Sequence, residues 1–182
     1  IDSLLLREFH GHEAVGQYAV AYKLTYALQF LPLTFVAALY PAMSSAYAAG
    51  NRDELKRSLK GALRLMMIVS VPLVAILSGL AEPIILTFYK RAYAEAIPVL
   101  TILPWVLIPI FLDFPVGSLL NASRRSMQKT IAMGCTMVIN AVLNVALVPS
   151  MGPVGAAYSA LVSFWILFFI GVWFVRDELP EK

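Results

Sequence analysis

The sequence predicts an all-α fold: a polytopic transmembrane helical bundle with about five full spans plus the end of a sixth. Composition is the first reason. Hydrophobic residues make up 60% of the 182 and charged residues 14%, with a mean hydropathy of +0.77. Soluble domains average about 45–50% apolar and about 25% charged. Charge placement is the second reason. Five apolar stretches, 18–39, 62–80, 96–120, 130–148 and 155–175, take up 106 residues. Of the 25 charged residues only Lys23, Arg64 and Asp113 lie inside them. Each stretch reaches the ~20 residues that cross ~30 Å of hydrocarbon. Residues 1–182 therefore read as a single transmembrane helical domain. A soluble enzyme, a disordered tail and a nucleic-acid-binding module are all poor readings of this composition.

The elements follow in order. The opening Ile1-Asp2-Ser3-Leu4-Leu5-Leu6-Arg7 is too short to span, and is expected to be the far end of a helix in a longer protein. It lacks the basic region and cleavage site of a signal peptide. Gly11, His12 and Gly16 suggest a short outer loop. Tyr18 and Tyr40 suit the two interfaces of the first span, and Pro41 is expected to break that helix. Asn51 followed by Glu54 reads as a capping box. Leu55, Leu59 and Leu63 then make 51–61 an amphipathic segment at the cytoplasmic surface, running directly into the second span. Glu82-Pro83 opens a short outer interfacial segment over 82–91. The third span holds Pro98, Pro104, Pro109 and Pro115. These prolines free the carbonyls of Leu100, Trp105 and Phe111, so this helix should be bent and should face protein or a wet lumen. It is either a kinked packing helix or a helix that moves in a transport cycle. The single Cys135 lies mid-span and reads as a small apolar residue.

The basic residues give an orientation and account for the pI of about 9.1. Arg52, Lys56, Arg57, Lys60, Arg64, Arg124, Arg125, Lys129, Arg176 and Lys182 fall on one side. Arg7, Lys90 and Arg91 fall on the other. The positive-inside rule makes the first side cytoplasmic, and the five spans alternate without conflict. Orientation alone explains these charges, so no nucleic-acid partner is inferred.

Polar residues within spans are the candidate site. Lys23 lies beside Tyr18, Tyr22 and Tyr26, which recur at i+4. A cation flanked by hydroxylated aromatics suits a phosphate and a sugar; the competing reading is a lysine that snorkels to the outer headgroups. Asp113 sits between Pro109 and Gly117 on its helix. It is a candidate partner for Lys23, a proton or cation site, or a structural hydrogen-bonded acid. Thr136, Asn140 and Asn144 form a polar stripe on the fourth span, either gluing helices or lining a cavity. Gln29 reads as helix glue. His10 and His12 lack the further ligands a metal site needs. No nucleophile elbow, P-loop, zincin or dinucleotide motif occurs, so neither catalysis nor a cofactor is expected.

Three stretches carry a family resemblance: Ala14-Val15-Gly16-Gln17-Tyr18-Ala19-Val20-Ala21-Tyr22-Lys23 with Leu39-Tyr40-Pro41-Ala42-Met43-Ser44; Tyr93-Ala94-Glu95-Ala96; and Asn140, Asn144-Val145-Ala146-Leu147-Val148-Pro149, Gly152 and Gly155-Ala156-Ala157. Together these resemble the polysaccharide-export flippases of the multidrug/oligosaccharidyl-lipid/polysaccharide superfamily. The resemblance implies two six-helix lobes around a central cavity. This chain would be the second lobe, from the end of helix 7 through helices 8 to 12, in the plasma membrane. Its partners would be the lipid bilayer, the missing N-terminal lobe and a lipid-linked oligosaccharide. The implied activity is movement of a polyprenyl-pyrophosphate-linked oligosaccharide from the inner to the outer leaflet by alternating access, with H+ or Na+ as a possible coupling ion.

Two neighbouring functions stay open at this point. A multidrug or toxin extruder of the same superfamily would share the fold. A membrane-embedded polymerase or ligase of lipid-linked sugars would need a long outer loop with catalytic residues, whereas the outer loops here reach only about 16 residues, well short of a ~50-residue domain.

Overall fold

A computed structural model describes residues 1–89 and 91–176. Lys90 and Lys182, both counted in the orientation argument, lie outside the described residues. The fold is all-α. Helix α1 is Asp2–Tyr26, a 3-10 turn follows at Ala27–Gln29, and α2 is Phe30–Ala48. Helix α3 is Arg52–Gly79, α4 is Ala81–Phe88, and α5 is Ala96–Ile102. A 3-10 turn at Leu103–Val106 joins α5 to α6, Leu107–Ala122, and α7 is Ser126–Val175. Among the described residues four stretches are long and apolar enough to cross a membrane: Asp2–Ala48, Arg52–Gly79, Ala96–Ala122 and Ser126–Val175.

Two of these helices are folded back on themselves, each at one glycine. Gly11 has φ 80°, ψ −174° and Gly152 has φ 56°, ψ −135°. Both lie where side chains with a Cβ are strained. In a straight α7, Asn140 and Ser163 would be about 34 Å apart. Instead the Asn140 amide donates to Ser163 Oγ at 3.2 Å. The arms 126–151 and 153–175 therefore run antiparallel. A Cβ on Gly155 would sit 2.5 Å from the Leu147 carbonyl oxygen, so only glycine permits this approach. In the same way Tyr18 OH reaches the Asp2 carboxylate at 3.0 Å across the Gly11 turn. His10 Nε2 donates to the Val148 carbonyl at 2.8 Å, tying the two glycine turns together at one end of the bundle.

The structure corrects two local readings. The outer loop is the single Gly11 turn, and Gly16 lies inside α1. Pro41 does not break the first span: α2 runs through it to Ala48. A proline costs one backbone hydrogen bond, whereas ending the helix in an apolar medium would expose several. The helices that carry the stretch 18–39 extend beyond it at both ends, resuming straight after Gly11 and running to Ala48.

Elsewhere local chemistry and structure agree. Asn51 Oδ1 accepts from the Glu54 backbone N–H at 3.1 Å, and the Asn51 amide donates to Glu54 Oε2 at 2.9 Å. Helix α3 is then continuous for 28 residues. Its Leu55 and Leu59 pack with Met43, Val116 and Leu119, so the apolar face of the amphipathic segment is used within the bundle. The proline-rich third span, α5–α6, is the centre of the molecule. Leu103, Pro104, Val106–Phe111, Pro115 and Val116 are all buried, and α1, α2, α3 and α7 pack around it. Its irregular stretch at Leu103–Val106 follows from Pro104; Leu103, Pro104 and Val106 are buried and Trp105 is exposed. The arm 153–175 presents buried Gly155, Ala156, Ala157, Ser159, Ala160, Ser163 and Gly171. In lipid, helices gain little from apolar burial and associate through such close small-residue contact.

Candidate functional site

Both glycine turns lie at one end of the bundle, and the connections 49–51 and 123–125 lie at the other. Between the ends, α1, α6 and both arms of α7 line two adjoining clefts.

The first cleft is a hydrogen-bonded oxygen cluster. Asp2 is its acid. Asp2 Oδ2 accepts from Tyr18 OH at 3.0 Å, and Oδ1 accepts from the Asn144 amide at 2.9 Å. The same amide nitrogen reaches the Asn140 carbonyl at 2.9 Å and Asn140 Oδ1 at 3.1 Å. Asn140 continues to Ser163 Oγ, and Ser163 donates to the Ser159 carbonyl at 2.6 Å. Asn144 is fully buried, yet its Oδ1 has no partner among the described residues, nor does Thr136 Oγ1. Asp2, Thr136, Asn140 and Ser163 line a space of about 290 Å³ together with Tyr22, Tyr26, Met137 and Phe164. Converging carboxylate, amide, hydroxyl and carbonyl oxygens are the donor set of a hard cation or a proton site.

The second cleft, of about 330 Å³, is lined by Tyr22, Tyr26, Gln29, Ile110, Asp113, Phe114, Lys129, Met133, Phe164 and Leu167. Tyr22 and Tyr26 are stacked, with centroids 4.1 Å apart and planes at 17°, and they border both clefts. Asp113 and Lys129 are the charged pair, both half-buried. Lys129 lies across Gly117: a Cβ there would be 2.5 Å from Nζ and 2.9 Å from Cε. Asp113 is approached by the other arm of α7, where a Cβ on Gly171 would stand 3.4 Å from Oδ1.

The structure thus brings Tyr22, Tyr26 and Asp113 together at one cleft and Asn140 and Asn144 together at the other. It does not bring Lys23 to either. Lys23 is exposed and lines neither cleft, and Lys129 is the cation that shares the Asp113 cleft. The helical period explains this: Tyr22 and Tyr26 share a face, and Lys23 is turned about 100° away. Sequence reasoning missed Asp2 and Lys129. Asp2 sits in a segment too short to count as a span. Lys129 sits three residues into α7 and was counted as a loop charge. Reading Gly11 as a hairpin turn would have signalled Asp2, since nine helical residues place it about 14 Å below that turn.

Comparison with known proteins agrees with this architecture. The MatE family model matches residues 1–146. An uncharacterized membrane protein of Methanocaldococcus jannaschii, MJ1068, is 25% identical over 185 residues, covering 100% of this chain and 36% of the relative. The probable flippase AglR of Haloferax volcanii is 28% identical over 168 residues, 90% of this chain and 35% of its own. The probable multidrug resistance protein NorM of Oceanobacillus iheyensis is 22% identical over 154 residues, 80% of this chain and 34% of its own. The chain spans about a third of the length of these relatives. A family model covering most of the chain, on an all-α bundle with membrane-length helices, gives the assignment: this membrane protein belongs to the MatE family of the multidrug/oligosaccharidyl-lipid/polysaccharide superfamily.

Proposed function

We propose that this chain is the second lobe of an alternating-access transporter in the plasma membrane, and that it moves a polyprenyl-pyrophosphate-linked oligosaccharide from the inner to the outer leaflet. The observation that carries this reading is the composite face on α1 and α7. Stacked Tyr22 and Tyr26 border both an oxygen cluster and a cleft with a lysine. Aromatic faces and hydroxyls suit a sugar, and a lysine suits a phosphate. Polar surface of this kind is expensive in hydrocarbon unless it serves a solute. The similarity to a probable flippase supports the same reading. A first lobe, contributed by the rest of a longer protein, would close the cavity, and rocking of the two lobes would alternate its access. Transport rather than sugar polymerisation or ligation is the activity proposed.

Asp2, Asn140, Asn144 and Ser163 would bind the coupling ion, Na+ or H+, because their oxygens converge and one buried acceptor is left free. Binding there would tighten both glycine hairpins onto each other and so bias one state of the cycle. The test uses the full-length protein in proteoliposomes with a fluorescent polyprenyl-pyrophosphate oligosaccharide. Parental protein should flip it, and a Na+ or pH gradient should accelerate this. Asp2→Asn should remove the acceleration. Flipping no faster than protein-free vesicles would refute the reading.

One observation favours a second reading. Tyr22, Tyr26, Met133 and Phe164 with Asp113 would also suit a flat organic cation, and one relative is named a probable multidrug resistance protein. Gradient-driven export of ethidium, with no movement of the lipid-linked sugar, would select it.

A further inference from the structure

Lys129 is the feature that packing alone leaves unexplained. It is half-buried, bordered by Tyr26, Ile110, Phe114 and Met133 on one side and by Ser118 and Asn121 on the other, and its side chain makes no direct hydrogen bond or ion pair among the described residues. Lys129 stands three residues into α7, near the end of the helix, and there a half-buried ammonium is favoured by a counter-charge or a ligand. Asp113 supplies the counter-charge across the cleft, acting on Lys129 electrostatically without bonding to it. The space between them belongs to the cleft itself. Gly117 fixes the arrangement. Lacking a side chain, it leaves a notch on α6 that receives the end of Lys129. The ammonium is therefore held beside an apolar and aromatic wall, with its three donors unspent among the described residues.

We propose that Lys129 is the anchor for a phosphoryl anion borne on an apolar chain, and that Asp113 is a built-in competitor that poises Lys129 and hastens release of the bound anion. The inference rests on the transport reading for its biological use, but not for its chemistry. The apolar wall selects the chain and the ammonium selects the phosphoryl group. When the anion binds, it takes the ammonium from the field of Asp113, and the two negative groups then repel. That repulsion weakens binding and favours departure, as a transporter site requires. A second lysine contact is not needed, and Lys23 is turned away from the cleft.

The experiment uses the full-length protein in nanodiscs with three probes: farnesyl pyrophosphate, farnesol and inorganic pyrophosphate. Parental protein should prefer farnesyl pyrophosphate to farnesol by about tenfold, the worth of one charge-assisted contact. Lys129→Gln should abolish that preference, and Lys129→Arg should keep most of it. Gly117→Ala leaves every charge in place but displaces the ammonium, so it should reduce the preference severalfold. Asp113→Asn should tighten farnesyl pyrophosphate about threefold or more and slow its dissociation. An unchanged preference in Lys129→Gln, with parental elution on size exclusion, would overturn the proposal. Weaker binding in Asp113→Asn would overturn the competitor role. Inorganic pyrophosphate binding as tightly as farnesyl pyrophosphate would overturn the lipid-borne source. The two readings fail separately. A protein that flips lipid-linked sugars while ignoring Lys129→Gln disproves only this inference. One that shows Lys129-dependent pyrophosphate binding but flips nothing disproves only the transport reading.

Discussion

The oxygen cluster and the Lys129 cleft lie side by side and share Tyr22 and Tyr26, yet they handle polarity in opposite ways. In the cluster the carboxylate and amides bond one another across α1 and both arms of α7, with Asn144 Oδ1 and Thr136 Oγ1 left over. In the cleft a cation and an acid share one space with no direct bond between them among the described residues. A satisfied network in a membrane holds helices in register; an unsatisfied charge pair holds space for something else. The difference separates a site that couples shape to occupancy from one that selects what occupies it. The cluster in particular depends on the two hairpins that reverse at Gly11 and Gly152.

The hardest way to break the contrast is to break a hairpin. In Gly155→Ala the new methyl would lie 2.5 Å from the Leu147 carbonyl oxygen, a backbone atom with no flexible end to yield. The arms of α7 must separate, and Asn140 loses Ser163. A loss of about 3 kcal/mol in stability is expected, at the upper end for overpacking. Unfolding of the full-length protein in detergent would measure it. The Asp113–Lys129 cleft lies toward the far end of the arms from Gly155, so Lys129-dependent pyrophosphate binding should survive in the folded fraction. Loss of both sites together would mean that they are one unit.

A milder pair of variants compares the sites directly. Asn144→Ala leaves Asp2 Oδ1 and Asn140 without their shared donor. Hydrogen bonds between membrane helices are worth about 0.6–1.7 kcal/mol. A cost of about 1–2 kcal/mol is therefore expected. Lys129→Gln removes no direct bond, so its stability should stay within about 0.5 kcal/mol of parental. Equal melting shifts for the two variants would erase the distinction between a closed and an open site.

How much of this was legible in the sequence depended on the range of the signal. Helices, caps and the all-α class rest on local periodicity, and the Asn51–Glu54 cap appears as its spacing implies. Asn140 and Asn144 were visible because an amide pair at i+4 stands out in an apolar stretch. Pro41 misled because a single proline is read as a stop, although in an apolar medium continuing the helix is cheaper. Asp2 and Lys129 were hidden because their depth depends on where the chain reverses. Gly11 and Gly152 carry that information, but a glycine in a sequence does not announce a φ of 80° or 56°. Lys23 stands outside both clefts for the opposite reason. Its depth within a span was plain, while its direction around the helix was not.

Lys23 gives the smallest expected effect and the sharpest check on that lesson. It follows Gly11 by twelve residues, about 18 Å along the helix, too deep for easy snorkelling to that end of the bundle. It is exposed, and it touches neither the Asp2 cluster nor the Asp113 cleft. Any influence on an anion bound at Lys129 must act through the field, without a donor in contact. Charge acting at a distance, through partly hydrated surroundings, is worth far less than a charge-assisted hydrogen bond. Lys23→Ala in the full-length protein should therefore lower flipping of the lipid-linked probe by no more than about twofold, against about tenfold for Lys129→Gln. Measured side by side in proteoliposomes at equal reconstitution, the two variants rank the lysines. If Lys23→Ala costs more than Lys129→Gln, then the exposed face of α1 carries the anion site, and the cleft beside Asp113 is a packing feature of the lobe.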